Sequence, residues 1–349
     1  MNTALSAQPW LAALNARFDD LVARRSAHVT QVVGGDLALD IHHDDPAFGI
    51  AMSRALFPPR DPMPSQYLAI HCHPVDDLIP DELLIARSGG QDRSLIWDPE
   101  SGRQWLLDAG NDVHIGVDFA TGVGVLAWSE SAPGWFYAAP FRTALEWCAT
   151  RAGDLLLHAA GVGRRNGGVV LLGHAGAGKS TSTMAAVAAG GFTLGDDYLW
   201  VGVDGDTITG RSCFRTCKTR HRASVEPVGI TAGLPGFDIQ AEEGKRVHYL
   251  AEGTDSFVQT FPIVGAVVLE PVADSSLPPR RVAASYALRR SAASTILQAT
   301  QNRQQQMGLL TGLLTTVPCF SLHLDPDLER MGHSLMELVD AILAGWTAR

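Results

Sequence analysis

The apolar positions of this chain change period along its length. Within residues 8–25, Trp10, Leu11, Leu14, Phe18, Leu21 and Val22 recur at helical spacing, with Arg17, Asp19, Asp20 and Arg24 between them. That spacing predicts an amphipathic helix whose stripe faces a core. From about residue 31 to 130 the runs shorten. Leu37–Ile41, Tyr67–Ile70, Leu83–Ile85, Ser94–Trp97, Gln104–Leu107, His114–Val117 and Val123–Trp128 read as strands. Turn signals at Ser88-Gly89-Gly90, Pro99–Gly102 and Ala109–Asp112 separate them, which predicts an antiparallel sheet region. Phe57–Pro64 reads as a proline-rich crossing loop.

Beyond residue 140 strands and helices alternate. A helix over 140–152 leads into strand Leu155–His158, a glycine-rich turn at Gly161–Gly168, strand Val169–Leu172 and helix Thr181–Ala189. Gly190-Gly191 closes that helix as a C-terminal cap. Strand Phe192–Leu194 follows, then a hairpin of Tyr198–Val203 and Thr207–Gly210 about Asp204-Gly205. The continuous apolar run Ile263–Leu269 predicts a buried strand; a helix near Tyr286–Gln301, strand Phe320–Leu324 and a last helix Asp327–Trp346 complete the pattern. The fold expected is α/β, with a smaller strand-rich region over 1–144 and a larger α/β domain over 145–349.

Composition narrows the function classes. With 46% hydrophobic and 18% charged residues the chain reads as globular rather than disordered. A net charge of −10 argues against a general nucleic-acid binder, which would carry a basic footprint. No uninterrupted apolar run is long enough for a membrane span, and Met1–Leu5 lacks the charged start of a secretory signal. Five scattered cysteines suit reduced thiols, so a cytoplasmic location is expected. His42-His43, His71-Cys72-His73 and Cys213/Cys217 lack the paired spacing of a structural zinc site.

The chemistry concentrates between strand Val169–Leu172 and the helix after it. Gly173-His174-Ala175-Gly176-Ala177-Gly178-Lys179-Ser180 has the form GxxxxGK[ST], with Thr181 next. Phosphates can be wrapped by backbone N–H groups only where side chains do not intervene, which is the use of Gly173, Gly176 and Gly178. Lys179 is expected on the β/γ-phosphates and the Ser180 hydroxyl on Mg²⁺, with the new helix pointing its positive end at the nucleotide. The ligands expected are therefore ATP and Mg²⁺. His158 lies on the strand before, and Asp196-Asp197 end the strand after. Phosphoryl transfer needs a carboxylate on the metal and an acceptor for the attacking hydroxyl's proton, jobs that two adjacent acids can divide. Lys245-Arg246 and the cluster Arg215, Lys218, Arg220, Arg222 supply cations. Arg246 is expected near the γ-phosphate and the second cluster near an acidic acceptor.

Leu156–Ala160, Val170–Ser180 and Thr193–Asp197 together resemble the kinase domain of HPr kinase/phosphorylase, itself distantly similar to phosphoenolpyruvate carboxykinase. In layout the chain is more similar to HPr-kinase-like enzymes that modify peptides, such as kinases of lasso-peptide precursors. The resemblance implies ATP-dependent phosphorylation of a serine hydroxyl on a peptide or small protein. It further implies Asp196 as general base, Asp197 as metal ligand and His158 as their assistant. The N-terminal region is then expected to recognise substrate or build a homo-oligomer. Two alternatives share the same nucleotide site: a small-molecule hydroxyl kinase, and a nucleotide-binding regulatory module that transfers nothing.

Overall fold

The computed structural model describes residues 9–75, 93–108, 112–129, 132, 134–204, 207–220, 236–239, 245–249, 256–271 and 277–345. The expected strand Leu83–Ile85, the turn at Ser88–Gly90, residues 109–111, Gly205, Arg222 and Trp346 lie outside them. The chain falls into two compact units, one of 1–33 with 37–144 and one of 34–36 with 145–349. Among the described residues no helix is long and apolar enough to cross a membrane.

The first unit holds α1 (Pro9–Ala23), β1 (His28–Gly34), β2 (Leu37–His43), α2 (Pro46–Ala55), β3 (Gln66–Pro74), β4 (Arg93–Trp97), β5 (Arg103–Asp108), β6 (Val113–Asp118), β7 (Val123–Trp128) and α3 (Gly134–Ala138). Its strands lie in the order β1-β2-β3-β7-β6-β5-β4. The expected α1 stripe is buried: Leu11, Leu14, Phe18 and Leu21 pack on Trp105, Leu107, Val125 and Ala127. The sheet is not antiparallel throughout, as expected, but mixed. β2, β3 and β7 run parallel, while β4 to β7 form an antiparallel meander. Parallel neighbours need a crossover, and between β2 and β3 it contains α2, a helix the apolar pattern did not suggest. Its start signal is local: Asp45 caps it, accepting from the Ala47 N–H at 2.8 Å, and Pro46 supplies the first turn.

The second unit takes in α4 (Arg142–Ala152) from Leu145 onward. It holds β8 (Leu155–Leu157), β9 (Ala160–Arg164), β10 (Gly167–Leu172), α5 (Lys179–Ala188), β11 (Phe192–Gly195), β12 (Leu199–Asp204) and β13 (Thr207–Ser212). β14 (Thr216–Arg220), β15 (Gly236–Ile239) and β16 (Lys245–Tyr249) form a separate small sheet. Then come β17 (Thr260–Glu270), β18 (Arg280–Val282), α6 (Ala284–Ile296), α7 (Arg303–Thr316), β19 (Cys319–His323) and α8 (Leu328–Leu343). The main sheet runs β11-β9-β10-β17-β13-β12-β8, with β19 and β18 joined beside β17. Among the described strands of this sheet, β10 pairs parallel with β17 and β17 with β19. Helices cover both faces, so these central strands are apolar on both sides. Val170, Leu172, Ala266 and Val268 face α6 and α7, whereas Val169, Leu171, Val267 and Leu269 face α8.

The glycine-rich stretch expected as a turn contains strand β9 and the start of β10. Gly161 and Gly163 serve packing: a Cβ on Gly163 would lie 2.5 Å from the Gly167 carbonyl oxygen, and one on Gly161 3.0 Å from Leu194. His158 accordingly sits in the turn between β8 and β9, not on the strand itself. The helix expected to end near Gln301 stops at Ile296, and a further helix, α7, follows from Arg303.

Candidate functional site

The segment 173–178 leaves the buried strand β10 and enters α5. Its geometry depends on missing side chains. A Cβ on Gly173 would stand 2.6 Å from the Ala177 Cβ. Gly176 and Gly178 have φ of +83° and +92°, a region that side chains disfavour, and a Cβ on Gly178 would meet Leu324 at 2.6 Å. The Ala177 N–H donates to the His174 carbonyl at 3.1 Å, closing the loop. His174, Ala175 and Gly176 form its exposed tip, while Ala177 is buried. Lys179 folds back into the loop, its Nζ donating to the Gly173 carbonyl at 2.9 Å. Burial lowers the pKa of that ammonium, against the opposing pull of Asp197 and Asp196. Ser180 and Thr181 lie half-buried in the first turn of α5.

β11 delivers the two acids beside this loop. Thr193 braces the strand end, its hydroxyl donating to the Gly161 carbonyl at 2.8 Å and accepting from the Gly195 N–H at 2.9 Å. Asp196 is 3% exposed, and its Oδ2 accepts the Lys218 backbone N–H at 3.1 Å. Its Oδ1 has no hydrogen-bond partner among the described residues. Burial, and next the charge of Asp197, raise the Asp196 pKa, while Ser180 and Lys218 pull the other way. Asp197 points elsewhere. Its Oδ1 is 3.1 Å from His158 Nε2 and its Oδ2 is 2.5 Å from Lys218 Nζ. Burial works against that charge, but Lys218 and His158 outweigh it and hold the carboxyl well below the usual carboxylate range.

His158 is fixed from several sides. Its Nδ1 lies 3.0 Å from the Ser294 carbonyl oxygen on α6, and the Tyr198 ring stacks on it at 5.0 Å. The Tyr198 hydroxyl donates to Gln298 Oε1, and the Gln298 amide sits 3.2 Å from His158 Nδ1.

The structure thus gathers His158, Lys179, Ser180, Asp196 and Asp197 around one loop. Two of the expected site residues contact each other. Lys218, expected near an acidic acceptor, is paired inside the protein with Asp197 because burial makes a lone carboxylate costly. Asp197, expected on the metal, has His158 Nε2 on one oxygen and the Lys218 ammonium on the other, whereas the carboxylate oxygen without a partner at hydrogen-bond distance among the described residues is Asp196 Oδ1. Arg246 lies on β16, its backbone opposite Thr219 and Asp238; its side chain falls outside the described residues. Glu270 and His323 were not foreseen. They end β17 and β19 at the same sheet edge as Gly173. Glu270 is buried, accepting the Tyr286 hydroxyl at 2.6 Å with His323 Nε2 at 3.9 Å. The crevice at such strand ends is where parallel sheets place ligands, and the position of Glu270 after Val267–Leu269 was its only sequence signal.

No family model matches the chain, and no curated protein matches it. Among solved structures it is similar to the HPr(Ser) kinase/phosphatase from Coxiella burnetii, at 15% identity over 55% of this chain and 93% of that one. The TM-score is 0.30, too low a likeness to bear on the reading of this site.

Proposed function

We propose that this chain is a Mg²⁺- and ATP-dependent kinase acting on a hydroxyl, serine on a peptide or small protein being the acceptor class. One observation carries the reading: a buried carboxylate oxygen, Asp196 Oδ1, stands without a partner beside the loop that holds Lys179 and Ser180. Leaving a buried acceptor unpaired costs about 1–3 kcal/mol or more. That cost is understandable where the partner arrives with a substrate. The residues fit a phosphate chain, since Gly173 and Gly178 leave room only for backbone and Lys179 places its charge inside the loop.

The division of labour follows from the contacts. The loop N–H groups and Lys179 would hold the phosphates of ATP. Mg²⁺, held through the Ser180 hydroxyl, would supply charge neutralisation at the phosphates. Asp196 Oδ1 would receive the acceptor hydroxyl's proton as the acceptor oxygen bonds to the γ-phosphorus. The bond from that phosphorus to the β-phosphate oxygen breaks, and ADP leaves. The raised pKa of Asp196 suits a proton acceptor, and the depressed one of Asp197 does not. In this reading Asp197 anchors His158 and Lys218 instead of serving the metal.

Two variants separate binding from chemistry. Lys179→Ala is expected to weaken Mg-ADP binding, followed by calorimetric titration, by at least tenfold. Asp196→Asn is expected to leave that binding within about threefold while γ-phosphoryl transfer falls by roughly a thousandfold, about 4 kcal/mol on the barrier. An Asp196→Asn protein that still transfers at the wild-type rate removes the base from this account.

A further inference from the structure

Lys218 touches both acids at once, through different groups. Its backbone N–H donates to Asp196 Oδ2 at 3.1 Å, and its ammonium reaches Asp197 Oδ2 at 2.5 Å. It comes from β14, part of the small sheet, with its neighbour Cys217 buried against Met184 of α5. The strand is therefore seated on the helix that begins at Lys179. Asp197 is consequently held between two elements, His158 from the β8–β9 turn and Lys218 from β14. With both Asp197 oxygens and Asp196 Oδ2 engaged, Asp196 Oδ1 is the carboxylate oxygen with no partner at hydrogen-bond distance among the described residues, with the Ser180 hydroxyl and the Cys217 thiol as the nearby groups that act on this carboxylate.

We propose that Lys218 is a positioning residue for phosphoryl transfer, locking the acid pair so that one oxygen, Asp196 Oδ1, faces the incoming substrate. The inference rests on the kinase reading above. Two adjacent carboxylates repel each other and, unrestrained, would splay or share a proton. An ammonium on one of them, from the residue whose backbone holds the other, fixes their relative orientation. Lys218 itself need touch neither ATP nor acceptor. A misplacement of about 1 Å in such a site costs on the order of a hundredfold in rate.

The test uses the full chain with Lys218→Met, Lys218→Arg, Asp197→Asn and the double variant Lys218→Met/Asp197→Asn. The lock itself is read without activity. Lys218→Met is expected to lower the unfolding temperature by roughly 2–4 °C, and adding Asp197→Asn should recover part of that loss because the stranded charge is gone. Additive losses would mean there is no lock, and the proposal falls. The functional part is read as a split between constants. Lys218→Met should keep Mg-ADP affinity and the KM for ATP within about threefold while kcat drops on the order of a hundredfold. Lys218→Arg should regain at least a tenth of wild-type kcat. If kcat of Lys218→Met stays within threefold of wild type, or if its loss is matched by a loss of nucleotide affinity, Lys218 is not positioning the acids. Should Lys218→Met fail to fold, a folded Lys218→Arg with wild-type nucleotide affinity and kcat below one-hundredth of wild type overturns the proposal. A wild-type protein that binds Mg-ATP but transfers to no acceptor overturns the kinase reading, and the stability cycle still reports the lock separately.

Discussion

Asp196 and Asp197 are chain neighbours with opposite surroundings. One has a buried oxygen without a partner at hydrogen-bond distance among the described residues, and the other is contacted on both oxygens, by His158 and by Lys218. Their identity was plain in the sequence; their different surroundings were not, because they depend on Lys218 from a different sheet and on His158, itself held by Ser294 from a distant helix. Gly178 offers a sharper test at this scale. Its φ of +92° and the 2.6 Å approach of a Cβ to Leu324 make two separable penalties. Gly178→Ala is expected to destabilise by about 1–2 kcal/mol from the backbone alone. It should also weaken Mg-ADP binding by tenfold or more. Adding Leu324→Ala should relieve the steric part and leave the backbone part, which paired denaturation and binding titrations would resolve.

At the scale of elements, α5 is held by α8 through close backbone approach. A Cβ on Gly332 would lie 2.2 Å from the Ala185 carbonyl oxygen, and Ser182 Oγ reaches Met331 Sδ at 3.6 Å. Gly332→Val should push the helices apart and cost about 1–3 kcal/mol, measured as a lower urea midpoint at unchanged slope. Strand β10, the loop and α5 were legible because a continuous apolar run, a glycine-rich turn and a helical composition follow one another directly. α7 was not. Its buried positions are Gln306, Leu310, Leu313 and Leu314, and Gln306 holds a core place only because it donates to the Thr150 hydroxyl at 2.8 Å. A polar residue with a distant partner hides the first turn of the pattern. β9 was hidden the other way, since Gly161 and Gly163 look like turn residues until Leu194 and the Gly167 backbone are brought beside them. α2 shows a third case: Asp45-Pro46 announces a helix locally, yet the mixed pattern of Phe48, Gly49, Met52 and Ala55 gives no clear stripe.

Across the whole molecule, the site draws His158, Lys179, Asp196, Lys218 and Ser294 from separate segments of the second unit. Motif spacing marks His158, Lys179 and the acid pair; assembly over long separations supplies the rest. This assembly couples the site to stability. The Asp197 carboxyl has its pKa depressed on folding, so its contribution is present above its ordinary value near 3.8 and is lost as pH falls below it toward the folded value. Wild-type protein is therefore expected to be more stable than Asp197→Asn at pH 7, with the gap narrowing progressively below about pH 4. Chemical denaturation at several pH values would read this, and a gap that widens on acidification would contradict the assigned sign.

The most direct measurement is intact-mass analysis of acceptors after incubation with Mg-ATP. The pool would contain serine-bearing peptides, small proteins and small-molecule alcohols, with wild type, Lys179→Ala and Asp196→Asn run side by side. The account predicts a single added phosphate on a serine-containing peptide or protein with wild type, and none with either variant. Transfer that persists in Asp196→Asn, or ATP bound by wild type with no acceptor modified, would contradict it.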